Sequence, residues 1–591
     1  MDPRNFFAEL KRRNVLRAAA FYAASAWLLV QVATQVFPFF HIAEWVVRWI
    51  VVAVCLGFPC AVLFSWFYEW TPQGIQRESE VAPNESITRR TGKKLDRWII
   101  AILALTVVLL LTDKFVLHKA GDKTAPDKSI AVLPFENLSE EKGNAYFASG
   151  IRDEILTKLA QLGELKVVSR TSSDKFQSRP DDVVGVARQL SVAYVLEGSV
   201  QKAREQLLIN VQLIDARTDT HLWAQSYRRD FQNIFDVEAE VATQVAEALN
   251  IELAPAEAQR LEKAATQNSH AHDLYLRARA LNVRTDEQSL LQSVALLDQS
   301  VAEDPHYAPA WAELANVYLT LADAYRAPID VLSRMRDAAL LAVQNDDNSA
   351  AGHVWLGALS MLYDRNYSLA KREIQRALSL EPNSCAAHRW MGWYRGRIER
   401  DYSASRAELQ KAEALDPLHP WSRWFESNVA IAQGDFDGAL QLARRVIEID
   451  PHFFYDEDPI AHAYLAMDKW EDAIRRYQSL PPSTLAIPNF ELAVCFAHLG
   501  KTDMARQILL ELEALDSKAY VDKFHLAAIY AALGDKDKAF AALDRSIEDR
   551  SSRASTPRFY PWLKPLVDDP RFAAAEYKVT HSAILLGEQK R

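Results

Sequence analysis

Ser169-Arg170-Thr171-Ser172-Ser173 places four hydroxyls and a guanidinium after the apolar run Leu165-Lys-Val-Val168. Backbone N–H groups and an arginine converging on such a turn make an anion site or a partner contact. The same hydroxyls equally cap the turn they sit in, and the residues alone leave both readings open. His270, His272 and Asp273 carry metal-ligand chemistry at close spacing. They open a helical run, however, where a polar first turn is ordinary. Glu197-Gly198-Ser199 lies in a strand, where glycine marks a bulge or a close backbone approach. Glu140-Glu141 and Asp568-Asp569 are adjacent in sequence and read as solvated. The sequence contains no glycine-rich phosphate loop, zinc-ligand spacing or nucleophile elbow. The expectation is no catalytic residue, no cofactor and no metal, and so a chain that is not an enzyme.

A chain of 591 residues is too long for one core, so several domains must position these groups. The net charge of −10 argues against a nucleic-acid binder. Four cysteines in this length are no disulfide framework. Cys55, Cys60, Cys385 and Cys495 read as small buried hydrophobes.

The second half is periodic. Tyr367, Tyr402, Phe436 and Trp470 are 35, 34 and 34 residues apart, and each leads to a small residue three positions on: Ala370, Ser405, Ala439, Ala473. Pro382, Pro417 and Pro451 run in phase, each ending a helical stretch. Gly500 and Gly534 are again 34 apart. A 34-residue helix–turn–helix period is that of the tetratricopeptide repeat, whose stacked pairs form a superhelix with a protein-binding groove. Residues 268–550 hold these repeats and 551–591 a capping segment and tail. The first helix of each pair lines the groove, which makes Asn316, His353, Arg389, Arg395 and Arg397 candidate contacts.

Between about 127 and 255 the period changes. Ser129–Phe135, Leu165–Arg170, Ala193–Val200, Gln206–Asp215 and Thr220–Tyr227 read as strands. Helices fall at 146–163, 181–190 and 233–253, so the order βαβαβββα predicts an α/β domain with a mixed sheet. Leu207, Ile209, Val211 and Leu213 alternate with Leu208, Asn210 and Gln212, which predicts a dry and a wetter face.

Four blocks carry a resemblance: Ser129-Ile-Ala-Val-Leu-Pro-Phe-Glu-Asn-Leu-Ser139, Tyr146-Phe-Ala-Ser-Gly-Ile-Arg-Asp-Glu-Ile155, Val168-Ser-Arg-Thr-Ser-Ser173 and Tyr194-Val-Leu-Glu-Gly-Ser-Val200. With His221-Leu-Trp223 they resemble the TolB amino-terminal-like domain of bacterial proteins, which is similar to the FlgO type. The resemblance implies tetratricopeptide repeats behind this domain. It also implies kinship with chains that carry adenylate cyclase or winged-helix domains at the other end.

Residues 1–120 read as a membrane anchor. Three apolar stretches, at about 18–40, 49–67 and 98–117, are each long enough to cross a bilayer as a helix. Arg4, Lys11, Arg12, Arg13 and Arg17 precede the first, and Arg77, Arg89, Arg90, Lys93, Lys94 and Arg97 lie in the loop 70–97. The positive-inside rule puts both in the cytoplasm and everything after about 119 in the periplasm. The predicted class is thus multidomain: three transmembrane helices, an α/β domain and an all-α repeat solenoid. The predicted function is a non-enzymatic inner-membrane protein that binds envelope proteins or peptides. Its other partner is the lipid bilayer, nucleic acid is excluded, and self-association is left open. The alternative is a transmembrane sensor whose α/β domain binds a small ligand and signals to a cytoplasmic partner.

Overall fold

The chain divides into two units, Met1–Thr124 and Ala125–Arg591. The computed structural model describes scattered residues between 19 and 30 and between 53 and 77, and then 128–583 apart from short gaps, the longest at 481–488. In the first unit the Tyr22 hydroxyl donates to the Val54 carbonyl at 2.9 Å. Strands β1 (Tyr68–Thr71) and β2 (Gly74–Arg77) pair antiparallel.

The three-span expectation is corrected here. Among the described residues no helix is long and apolar enough to cross a membrane. A crossing takes about 20 consecutive apolar helical residues, and the described helical residues of this unit are shorter runs than that. Much of 18–40 and 49–67, and all of 98–117, lie outside the described residues. The multi-pass inner-membrane placement, with a cytoplasmic amino terminus and periplasmic domains, falls with the spans on which it was built.

The second unit begins with a mixed sheet. β3 (Ser129–Val132), β4 (Glu136–Asn137), β5 (Lys166–Val168), β6 (Tyr194–Ala203), β7 (Gln206–Asp215) and β8 (Thr220–Asp230) are ordered β5-β3-β6-β7-β8, with β4 also on β6. β3 is parallel to β5 and β6, while β6, β7 and β8 are antiparallel. A central strand must be apolar on both faces, and β3 is. Ile130 and Val132 meet Phe147, Ile151 and Ile155 of helix α1 (Ala145–Ala160) and Val241 of α4 (Ile234–Ala248). Ala131 and Leu133 meet Val186, Ala187 and Leu190 of α3 (Val183–Leu190). A short α2 (Arg170–Ser173) follows β5. Along β7, Leu207, Ile209, Val211 and Leu213 are buried while Leu208, Asn210 and Gln212 are half-buried.

Gly198 is where the sheet has no room for a side chain. A Cβ there would stand 2.8 Å from the Asn210 carbonyl oxygen and 2.8 Å from the Phe135 ring. Gly198→Val should lower stability by about 1–3 kcal/mol, the range for overpacking, read as a lower urea midpoint.

After α5 (Pro255–Glu262) come, among the described residues, eight helix pairs. They are α6 (Ser269–Asn282) with α7 (Glu287–Glu303), α8 (Ala308–Ala324) with α9 (Pro328–Asn345), α10 (Ala350–Leu362) with α11 (Tyr367–Leu380), and α12 (Cys385–Tyr394) with α13 (Tyr402–Leu415). Then follow α14 (Pro420–Gln433) with α15 (Phe436–Ile449), α16 (Pro459–Ala466) with α17 (Trp470–Gln478), α18 (Phe490–His498) with α19 (Thr502–Asp516), and α20 (Lys523–Ala532) with α21 (Lys536–Glu548). The aromatic ladder supplies the first residues of α11, α13, α15 and α17, and Ala370, Ser405, Ala439 and Ala473 below it are all fully buried. Small residues there let the paired helices approach closely. Ser405 satisfies its hydroxyl on the Gly392 carbonyl at 2.7 Å. This is a tetratricopeptide-type repeat region.

A polar clamp repeats with the same period. His353 Nδ1 lies 2.7 Å from Glu373 and its Nε2 3.0 Å from the Asp347 carbonyl. His388, 35 positions on, does the same with Glu408 (2.6 Å) and the Pro382 carbonyl (2.9 Å). Burial opposes the His353 imidazolium, but the Glu373 and Asp347 hydrogen bonds outweigh it and raise its pKa above 6.5. Burial opposes the Glu373 carboxylate too, and the His353 hydrogen bond outweighs it, holding its pKa below 4.5. The histidine's contribution is complete below 6.5 and is lost as pH rises through the raised value. The glutamate's is complete above 4.5 and is lost as pH falls through the depressed one. His353→Ala should therefore differ from wild type most between those two values, by about 2 kcal/mol, when urea midpoints are followed against pH.

Beyond α21 the described chain folds back on earlier repeats. Short 3-10 helices at Arg553–Ser555, Pro557–Phe559 and Pro561–Leu566 lead to α22 (Pro570–Thr580). This segment meets the turns inside earlier pairs. Arg365, 2% exposed, donates to the Ile547 carbonyl at 2.8 Å and to Ser582 at 2.6 Å. The Tyr367 hydroxyl donates to the Ser555 carbonyl at 2.8 Å, and Arg550 donates to the Tyr363 carbonyl at 3.1 Å.

Candidate functional site

The sheet domain lies along one edge of the helical repeats, on the loops that lead from each second helix to the next first helix. Lys263 pairs with Asp346 at 3.2 Å, and Arg260 donates to the Leu380 carbonyl at 3.3 Å. Asn383 reaches the carbonyls of Gly163 (3.2 Å) and Leu165 (3.1 Å), and Lys175 reaches that of Ile449 (3.0 Å).

The hydroxyl-rich turn is part of this seam. Ser169 and Ser172 both donate to the Asp416 carboxylate at 2.5 Å. Ser172 also accepts from the Leu418 N–H at 2.8 Å, and the Ser169 N–H donates to the Leu415 carbonyl at 3.1 Å. Arg170 turns the other way, to Asp153 (2.5 Å) and Asp174 (3.1 Å). Thr171 is half-buried on α2. Arg389 joins the group, since its charge acts on Asp416. The fold thus gathers Ser169, Ser172 and Arg389 around a carboxylate that sequence reasoning passed over. Its signal was present: Asp304, Glu381, Asp416 and Asp450 each precede a helix-ending proline.

The other expected groove residues are dispersed. Asn316 is half-buried beside Glu313 (3.5 Å). His353 is 3% exposed inside its clamp. Arg395 lies 4.0 Å from Glu408. Arg397 is 4% exposed and is committed to the C-terminal segment.

Above the seam, α1 and α4 of the sheet domain face the first repeats across a cleft of about 430 Å³. Helices α1 and α6 pack closely, and a Cβ on Gly150 would come within 2.6 Å of the Leu276 side chain. The wall holds ionisable groups from both domains: Glu154 and Lys158 from α1, Glu238 from α4, His272 and Arg279 from α6. Arg279 donates to Glu154 at 3.3 Å, and Lys158 donates to the Leu261 carbonyl at 2.6 Å. His272 Nδ1 is 2.8 Å from the Tyr307 hydroxyl. Burial drives His272 down to about 3, so the ring is neutral, and burial pushes the carboxyls of Glu154 and Glu238 up. Glu238 Oε1 and His272 Nε2 have no hydrogen-bond partner among the described residues, and these residues are 2% and 1% exposed. The two atoms are 3.9 Å apart. Buried polar groups are seldom left so. A cavity with convergent polar groups and displaced pKa values is the place for a ligand.

His272 stood out in the sequence for metal-type chemistry, but its partner His270 is exposed and bonds Glu303 at 2.6 Å. Glu238 and Tyr307 gave no local signal. They matter only because two domains meet there.

Residues 126–244 match the model of the HilA/YgeH-like transcriptional regulator, second domain, a match that does not confirm the TolB or FlgO resemblance. A curated relative, "Putative adenylate cyclase 3" of Rhizobium meliloti (strain 1021), is 35% identical over 245 residues, 41% of this chain and 42% of the relative. The chain thus spans under half the length of that protein. The relative's name is that of an enzyme, and on this finding the expectation that the chain is not an enzyme is withdrawn. Among solved structures, a thermophilic tetratricopeptide repeat protein of Thermus thermophilus is 15% identical with TM-score 0.29, covering 33% of this chain and 98% of that one. A tetratricopeptide repeat protein of Parabacteroides merdae is 12% identical with TM-score 0.33, covering 46% and 100%. The LpoB C-terminal domain of Salmonella enterica is 18% identical with TM-score 0.16, covering 19% and 90%. The repeat architecture of this chain rests on its own helix pairs.

Proposed function

We propose that the chain is a scaffold that binds protein or peptide partners on its helical repeats, with the sheet domain forming one wall of the binding cleft. The observation that carries this reading is the cleft itself. It opens between the inner helices of the first repeats and α1 of the sheet domain, and its walls hold polar groups with unused hydrogen-bonding capacity. Stacked repeats present such surfaces without needing chemistry of their own. The relative named a putative adenylate cyclase supports one extension, that partner binding is reported to a cyclase-type output.

Peptides selected by display against the full chain test the reading. A photo-cross-linking residue placed at Trp355, which lines the cleft, should capture the selected peptide. The same residue at Leu510, 64% exposed on α19, should not. Equal capture from both positions, or failure to select any peptide, overturns the proposal. Cyclic-nucleotide formation by the full chain, with and without the peptide, tests the extension; a rate unaffected by the peptide removes it.

A further inference from the structure

We propose that the cleft seats a primary alkylammonium group, the side chain of a lysine in a peptide partner, against Glu238 and His272. This deepens the scaffold reading and rests on it. Of the other carboxyls in the wall, Glu154 is taken by Arg279, Asp346 by Lys263 and Glu313 by the Asn282 amide, and Glu381 lies within the field of Arg260. Glu238 approaches His272 Nε2 at 3.9 Å and feels the charges of Lys158 and Glu154, but its Oε1 is without a hydrogen-bond partner among the described residues although the residue is 2% exposed. The nearby internal cation does not fill the gap, because Lys158 directs its ammonium to the Leu261 carbonyl.

Aromatic rings that line the same cleft gather about His272. Phe235 and His272 are 4.9 Å apart, and Tyr275 and Tyr307 5.2 Å apart, with His272 about 6 Å from both tyrosines. Ring faces around a carboxylate favour a cation on an apolar stem. Tyr307 can donate to His272 Nδ1, or accept from it, so the imidazole can adapt its Nε2 to an incoming donor. Burial raises the pKa of the Glu238 carboxyl, and an arriving cation lowers it again, which favours a charge pair inside the cleft.

The test is binding to the full chain of acetyl-Gly-Lys-Gly-amide, acetyl-Gly-norleucine-Gly-amide and Gly-Gly-Gly-amide, followed by calorimetry. The lysine probe should bind at least about 10-fold more tightly than its norleucine isostere, a gap expected of a charged hydrogen bond. Glu238→Gln should abolish that gap. Lys158→Met, which removes the competing internal cation, should widen it, an effect opposite in sign to any loss of folding. Preference for the free amino terminus of the glycine probe would retain the ammonium chemistry but overturn the lysine side chain as its source. Equal binding of lysine and norleucine probes, or an unchanged gap in Glu238→Gln, overturns the proposal. If the probes fail while display-selected peptides still cross-link at position 355, the scaffold reading survives without the ammonium site.

Discussion

Arg397→Ala should lower stability by about 3–4 kcal/mol and release the C-terminal segment to protease. Arg397 sits in a π-helical turn, Arg395–Glu399, between α12 and α13. Its guanidinium donates to the Ser552 carbonyl at 2.5 Å and to Ser555 Oγ at 3.2 Å, and it also bonds Thr556. It lies over Trp393, Phe559 and Tyr560 at 5.4, 5.8 and 5.3 Å. Hydrogen bonds from a charged donor contribute about 1.5–3 kcal/mol each, and a desolvated cation–π contact about 2. These are not additive, because all depend on one side chain. Arg397→Lys should recover only part of the loss, since an ammonium cannot copy the planar fork. The readouts are the urea midpoint and the rate at which α22 is cleaved. A variant within about 1 kcal/mol of wild type would mean that the segment is held by its apolar contacts alone.

The second large effect concerns the seam at Asp416, and it has an order that distinguishes electrostatics from simple packing. Asp416 is 2% exposed. Burial raises its pKa above 3.8, while the Ser169 and Ser172 hydrogen bonds pull the other way. A carboxyl with a raised folded pKa contributes most below its unfolded value, and the contribution fades as pH rises through the folded value. Near neutrality the carboxylate therefore depends on its two serine donors. Ser169→Ala with Ser172→Ala should lower stability at pH 7 by about 3 kcal/mol, since it leaves a buried charge without them. The deficit should shrink as the solution is acidified. Asp416→Asn removes the charge and keeps an acceptor, and should lower stability by about 1 kcal/mol. Asparagine proving worse than the double serine variant would sink this account.

Both effects join residues far apart in the chain, and that is where legibility in the sequence stops. The repeat helices were legible because their signals are local. An aromatic first residue, a small residue three positions later and a proline past the end recur every 34 or 35 residues. Strand β7 was legible for the same reason, because a two-residue alternation shows which face is dry. The amino-terminal apolar runs read as membrane spans, yet among the described residues no helix is long and apolar enough to cross a membrane. Apolar content records a preference to leave water and does not say what takes its place.

The hydroxyl turn shows the limit at a single site. Residues 169–173 announced hydrogen-bonding capacity, and the partner proved to be Asp416, 247 positions from Ser169. His353 and Arg397 announced charge on inner helices. One closed a clamp within its own repeat, and the other anchored the end of the chain.

By itself the sequence determined a mixed sheet with helices on it, then helix pairs recurring at about 34 residues. Those follow from side-chain periodicity and from where proline and glycine stop a helix. Only the tertiary structure decided the sites. The small rotation between successive repeats accumulates over eight pairs. That sum sets which loops meet the sheet domain and which turns meet the C-terminal segment. Glu238, His272 and Tyr307 belong to three separate segments, and nothing in their own segments says that they share one wall.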